Sequence, residues 1–244
     1  MLSSRPRVFI ASRYERAAQD YLRSLPLEHF MEATPQATQR EITVESLALV
    51  RAIRPDFHFF NELLIQYPDP EDEDARPRGV VPDNMVVVHS EPIHAKGSYD
   101  TPLQPVGPFW VFEYVSSGSR RKDYEESFQK YERDLKVPYY LLFYPDNQEL
   151  TLFHHNGEKY VTVLPNERGR LSLPELEMEV TLLDGWARYW YRGELLPLPA
   201  DLQRDLLQTR RELEQERQTR LTVEQENERL RAEIAALRGK AASE

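Results

Sequence analysis

Apolar positions in the chain recur in short runs rather than long helical stripes, and this reads first as a sheet protein. Val80 to Val88 and Pro108 to Val115 are near-continuous apolar segments of strand length. Phe57 to Tyr67 is aromatic and aliphatic without a helical period and predicts a strand as well. Val137 to Tyr144 predicts another, stopped by Pro145-Asp146-Asn147. Glu149 to His154 and Lys159 to Leu164 flank Asn156-Gly157, a hairpin turn signal. Leu176 to Leu183 and Trp186 to Tyr191 complete the strands.

Helical spacing is confined to a few places. Tyr14 to Leu25 predicts a short helix. Thr43 is placed to cap a second, in which Val44, Leu47 and Val50 form a stripe to about Ile53 before Pro55. Tyr124, Phe128, Tyr131 and Leu135 mark a third, from about Lys122 to Leu135. The order strand–strand–strand–helix–strand–hairpin predicts an α/β (α+β) layer domain with a mixed central sheet. The expected organisation is a poorly patterned segment 1–42, a globular domain 43–198 and a C-terminal helix 199–240.

The character changes at residue 201, beyond which there is no proline and no aromatic residue. Leu206, Leu213, Asn227 and Ile234 fall at heptad position a, and Leu202, Val223, Leu230 and Leu237 at d. Thr209, Arg220 and Glu216 weaken the middle. Asn227 at a is the kind of residue that fixes register in a parallel dimer. Val223, Asn227, Leu230, Ile234 and Leu237 are therefore the expected dimerisation residues of a homodimeric coiled coil; the alternative is a solvated single helix.

Charge narrows the partners. The net charge is −10, and residues 199–244 hold 10 acidic against 9 basic residues, so the acidity lies in the body. Contact with a nucleic acid would have to be local rather than driven by a general field. There is no cysteine, which excludes disulfides and thiolate metal sites. No apolar run approaches the ~20 residues of a membrane span, and Val8-Phe9-Ile10 is too short for a signal peptide, so a cytoplasmic protein is expected.

Two carboxylates interrupt apolar strands. Asp83 follows Pro82 within Val80 to Val88, and Glu113 stands among Trp110, Val111, Phe112, Tyr114 and Val115. A carboxylate in such surroundings is costly unless it is paired, protonated or bound to a cation. On neighbouring strands the two could share one hard cation such as Mg²⁺, or else lie at wet strand ends in salt bridges. Arg120, Arg121 and Lys122 open the helix that follows, where backbone N–H groups also favour phosphate. Asp123, Ser127 and Lys130 share one face of it. Glu62 is a possible third carboxylate, because its strand precedes that of Asp83. His58 and the pair His154-His155 read as packing and hairpin residues.

Pro82-Asp83, Val111-Phe112-Glu113-Tyr114-Val115-Ser116, Arg120-Arg121-Lys122-Asp123, Tyr131, Val137-Pro138-Tyr139-Tyr140 and Pro145-Asp146 together resemble the Uma-two family of endonucleases over residues 43–165. That family belongs to the PD-(D/E)XK superfamily, and one branch of it also carries a C-terminal coiled coil. The resemblance implies a restriction-endonuclease-like fold flanked by helices, Asp83 and Glu113 as ligands of Mg²⁺ (or Mn²⁺), and DNA phosphodiester hydrolysis. Val115 stands where the Glu-x-Lys motif has lysine. Ser127 stands where family members commonly carry a migrated one. The resemblance then leaves Lys130, one turn further on nearly the same face, as the catalytic cation, with Lys122 as a second and weaker candidate. The rival reading is a catalytically inactive, dimeric binding or scaffolding module.

Overall fold

The computed structural model describes residues 6–25, 34–115 and 121–241, with the backbone alone for residues 121–124 and 232–241. The chain divides into two units, residues 1–196 and 197–244. The first is a mixed α/β domain built on three sheets, the second a single helix.

The central sheet holds six strands in the order β1(Phe57–Asn61), β4(Asn84–Val88), β6(Trp110–Tyr114), β7(Tyr139–Tyr144), β8(Glu149–His155) and β9(Tyr160–Thr162). All neighbours run antiparallel except β6 and β7. A parallel pair needs a crossover. It is made here by helix α3(Arg121–Gln129) and a π-helical turn at Lys130–Asp134, which the Leu135 N–H closes onto the Lys130 carbonyl at 2.9 Å.

Each face of this sheet is covered. One face carries Val86, Trp110, Phe112, Tyr114, Leu141 and Phe143. It packs on helix α2(Thr34–Ile53) through Leu47 and Val50, and on the sheet β10(Leu171–Leu173), β11(Met178–Leu183), β12(Trp186–Tyr191), β13(Glu194–Leu195). The other carries Met85, Val87, Val111 and Tyr140. It packs on Tyr131 of the π turn, and on Ile65, Tyr67, Val80 and Tyr99 of a sheet ordered β3(Arg78–Val80), β2(Leu64–Tyr67), β5(Ser98–Asp100). This double covering explains the unbroken apolar runs in β4 and β6. Helix α1(Arg7–Ser24) buries Ile10, Tyr14, Ala17 and Ala18.

Several boundaries differ from expectation, each for a local reason. Segment 1–42 holds α1 and the first half of α2. Thr43 is not a cap but lies in mid-helix, because α2 buries Gln39, Ile42, Thr43, Ser46, Leu47 and Val50. Three of those six are polar, so the buried face cannot be seen in hydropathy. Phe57 to Tyr67 is two strands in different sheets. The break falls at Glu62, whose φ of 46° is left-handed, at about 1–3 kcal/mol for a residue with a side chain. Val80 to Val88 is likewise divided, and Asp83 lies in the gap between β3 and β4, not inside a strand. The long loop before β6 contains β5.

Helix α4 runs from Pro199 to Ala241, 43 residues. Leu206, Leu213, Val223 and Leu230 are 46–66% exposed along it. The side chains of Ile234 and Leu237 lie outside the described residues. Among the described residues, no helix is long and apolar enough to cross a membrane.

Candidate metal centre

The register builds the site. In the β4–β6 ladder Asn84 stands opposite Phe112 and Met85 opposite Val111. The ladder ends there, but continuing its register by one step leads from Asn84 to Asp83 and from Phe112 to Glu113, and the two carboxyls interact. Residues facing each other across a ladder project to the same side. Asp83 has left the strand conformation, but its carboxylate completes the ladder: Oδ2 accepts the Tyr114 backbone N–H at 2.6 Å. Its backbone carbonyl accepts the Glu62 N–H at 3.1 Å.

Glu113 sits near the carboxyl end of β6, at the start of the crossover, where open α/β sheets tend to place ligands. It is 6% exposed. Its Oε1 accepts the Tyr131 hydroxyl at 2.8 Å. The π turn explains this contact: inserting one residue into a helix shifts the phase of its side chains, and such turns recur at functional sites. Tyr131 is fully buried beneath the sheet.

A guanidinium faces Asp83 from α2. Arg40 reaches Asp83 Oδ1 with Nη2 at 3.0 Å and Glu62 Oε1 with Nη1 at 2.9 Å. Arg40 and Asp83 are largely shielded, with side chains 19% and 20% exposed, while Glu62 is 59% exposed. Four residues earlier on α2, the Gln36 amide donates to the Tyr114 carbonyl at 2.5 Å. Tyr21 of α1 packs close by: a Cβ on Gly79 would meet Leu64 Cδ1 at 3.0 Å and the Tyr21 ring at 3.3 Å, which accounts for glycine there.

The electrostatics follow from burial. Desolvation, then the Asp83 charge, pushes Glu113 well above the ordinary carboxylate range, against the pull of the Tyr131 hydroxyl. Desolvation also raises Asp83, but the Tyr114 N–H and Arg40 oppose it. Asp83 is therefore the more readily ionised member, and burial disfavours the charged form of Glu113 more strongly. Burial first, and the Glu113 charge second, raise the Tyr21 hydroxyl too.

A divalent cation fits this donor set. Two neighbouring carboxyls whose ionisation is opposed by burial are what a hard cation relieves, and Mg²⁺ usually takes one or two protein carboxylates with water completing its shell. Among the described residues, no group of three carboxylates, histidines or cysteines is arranged to hold a metal. The protein ligands would thus be Asp83 and Glu113, with Glu62 joined to them only through Arg40.

The other sequence candidates are placed less centrally. Lys130 donates to the Gly79 carbonyl at 3.2 Å, one residue from Tyr131. Arg120 lies outside the described residues, as do the side chains of Arg121 and Lys122, whose backbone forms the first turn of α3. Ser127 is half-buried on α3, and Val115 is buried. His58 bonds the His89 carbonyl and His155 the Glu132 carbonyl, both structural contacts. Arg40 was not distinguished by the sequence reading. The available signal was the four-residue spacing of Gln36 and Arg40, which puts both on one helical face.

Residues 28–184, more than half of the chain, match the family Uma2, described as "Putative restriction endonuclease". The chain belongs to the Uma2 family. The matched span includes Arg40, Asp83, Glu113, Lys130 and Tyr131, and begins after α1. A similar solved structure is a putative nuclease belonging to DUF820 from Anabaena variabilis ATCC 29413, at 14% identity and a TM-score of 0.44, covering 59% of this chain and 75% of that one. No curated protein matches the chain.

Proposed function

We propose that this Uma2 protein is a Mg²⁺- or Mn²⁺-dependent DNA endonuclease whose metal ligands are Asp83 and Glu113. The observation that carries the reading is the carboxyl pair: Glu113, 6% exposed, interacts with the Asp83 carboxyl, which is anchored on the neighbouring Tyr114 N–H. A charge in that position lowers stability without a cation, so a function is its best account. A bound divalent cation supplies the Lewis acid that neutralises a phosphodiester and promotes water attack on phosphorus. The overall change is hydrolysis: a new P–O bond forms to water, one ester P–O bond breaks, and the departing oxygen takes a proton. Tyr131 fixes the Glu113 carboxyl, and the Tyr114 N–H and Arg40 fix that of Asp83. Lys130 is assigned the catalytic place of the motif's lysine, and the basic run Arg120, Arg121, Lys122 is assigned to phosphate contact. The contact is local because the body is acidic.

Plasmid DNA incubated with Mg²⁺ or Mn²⁺ tests this with the native chain, Asp83→Ala and Glu113→Ala. Nicking by the native chain alone is expected. Equal nicking by all three would mean contamination and refute the assignment.

A second reading has its own support. Val115 and Ser127 carry no amine, and the Lys130 ammonium is engaged by the Gly79 carbonyl. A chain that binds Mn²⁺ yet never nicks would be a lapsed nuclease acting as a binding module. In either case we propose that α4 pairs with a second copy in parallel through Val223, Asn227, Leu230, Ile234 and Leu237. Its support is the exposed heptad positions of a continuous helix. A monomeric mass at micromolar concentration would sink that part.

A further inference from the structure

Phosphodiester hydrolysis places growing negative charge on the phosphoryl oxygens, and a site needs fixed cations aimed at that charge. Among the described residues, a cation that contacts the carboxyl pair directly is Arg40, on α2. Its guanidinium contacts partly shielded Asp83 and exposed Glu62, at 3.0 and 2.9 Å. A fork held this way has its orientation fixed from the solvent side by Glu62. Its other anchor, Asp83, is one of the two carboxylates proposed to hold the divalent cation. Arginine also suits the task chemically, since its planar fork matches the geometry of a phosphate and it stays charged when shielded.

We propose that Arg40 is the phosphate-binding cation of this site, stored on Asp83 when no divalent cation is present and turned onto a non-bridging phosphate oxygen when Asp83 is otherwise neutralised, with Glu62 as its positioning residue. The proposal rests on the metal-site reading and adds the source of the missing positive charge. No proton moves in this step; the guanidinium exchanges one N–H···O bond for another. A cation held next to Asp83 also repels an incoming cation. Arg40 thus weakens metal binding while strengthening substrate binding, and a merely structural arginine would not produce that pair of opposite signs.

The test uses the full chain with Arg40→Gln, Arg40→Lys and Lys130→Ala, each checked for native circular dichroism. Mn²⁺ is titrated calorimetrically without nucleic acid. A fluorescent oligonucleotide duplex is titrated in Ca²⁺, and plasmid nicking is followed in Mn²⁺. For Arg40→Gln the expectation is unchanged or tighter Mn²⁺ binding, oligonucleotide binding weaker by about 10-fold and nicking slower by about 100-fold. Arg40→Lys keeps the charge without the fork and should recover part of the oligonucleotide binding. It also serves as the readable variant if Arg40→Gln fails to fold.

Weaker Mn²⁺ binding by Arg40→Gln would show that Arg40 only holds Asp83 in place, and would overturn the proposal. Undiminished oligonucleotide binding, or a larger loss for Lys130→Ala than for Arg40→Gln, would do the same. A native chain that binds neither Mn²⁺ nor the duplex would overturn the metal-site reading together with this one. A native chain that binds and nicks alongside an indifferent Arg40→Gln would overturn this inference alone.

Discussion

Glu113 and Tyr114 are neighbours on β6, yet alternation sends them to opposite faces of the same sheet and into two different kinds of buried polar group. Tyr114 enters a neutral network. Its hydroxyl lies 2.7 Å from both Thr43 Oγ1 and Asn84 Oδ1, Thr43 lies 2.8 Å from the Tyr189 hydroxyl, and the Asn84 amide donates to Asn61 at 2.8 Å. Gln39 closes it onto β12, accepting the Ala187 N–H and donating to the Ala187 carbonyl. These groups carry no formal charge, and they satisfy one another. Glu113 enters a group in which burial and a second carboxyl both oppose ionisation. Buried polarity of the first kind specifies packing; polarity of the second kind is left unbalanced and is explained by something that binds.

Truncating each neighbour in turn should have opposite consequences. Glu113→Ala should abolish calorimetric Mn²⁺ binding and slow any nicking by at least about 100-fold, with folding retained. Tyr114→Phe should do the reverse. It leaves Asn84 Oδ1 without its hydroxyl donor, which costs about 1–3 kcal/mol and lowers the thermal midpoint by several degrees, while Mn²⁺ affinity stays within about 2-fold. If Tyr114→Phe also erased Mn²⁺ binding, the two networks would be one.

The asymmetry also explains what could be read in the chain. Glu113 was legible because a lone acid in Trp-Val-Phe-Glu-Tyr-Val has no structural reason to be there. Asp83 was legible as a member of the pair but misplaced, since Pro82 and Asp83 interrupt the strand that their apolar neighbours suggest. The neutral network was illegible: Gln39 and Thr43 look like a solvent face, and only their β12 partners Ala187 and Tyr189 turn them inward. Arg40 was hidden for the same reason, since α2 was expected to begin at Thr43, three residues beyond it. Tyr131 was visible as an apolar stripe position and as one of the residues of the family resemblance, but not as a hydroxyl donor to Glu113. Its hydroxyl gains a role from a π turn that no spacing rule indicates.

A middle-sized effect separates the two networks by pH. The Tyr131 hydroxyl favours the charged form of Glu113, so Tyr131→Phe should push that carboxyl still higher. A cation must displace the Glu113 proton, and metal binding of this kind strengthens as pH rises. Mn²⁺ affinity at pH 7 should fall by about 10-fold in Tyr131→Phe, as for other partners that orient a ligand, and the deficit should shrink at more alkaline pH. Titrations of the two proteins that run parallel at every pH would exclude Tyr131 from tuning the site. Tyr189→Phe, on the neutral side, should leave the pH dependence unchanged.

The smallest expected effect is on the stability of the metal-free protein, and its sign is unusual for a carboxylate. Below the ordinary Glu value of 4.5, Glu113 is protonated in both folded and unfolded chains and has no pH-linked effect. As pH rises through that value the unfolded chain ionises while the folded chain keeps its proton. Folding then loses stability until the raised folded value is passed. Glu113→Gln removes this loss. Its thermal midpoint without divalent cations should match the native chain near pH 4 and exceed it by a few degrees at pH 7. Glu62→Gln, 59% exposed, should show no such gain. Added Mn²⁺ should then reverse the ranking, raising the native midpoint above that of Glu113→Gln, because only the native pair can trade its proton for a cation. A variant that is no more stable than the native chain at pH 7 would mean that Glu113 is already balanced as well as Tyr114 is, and the contrast between the two faces would lose its physical basis.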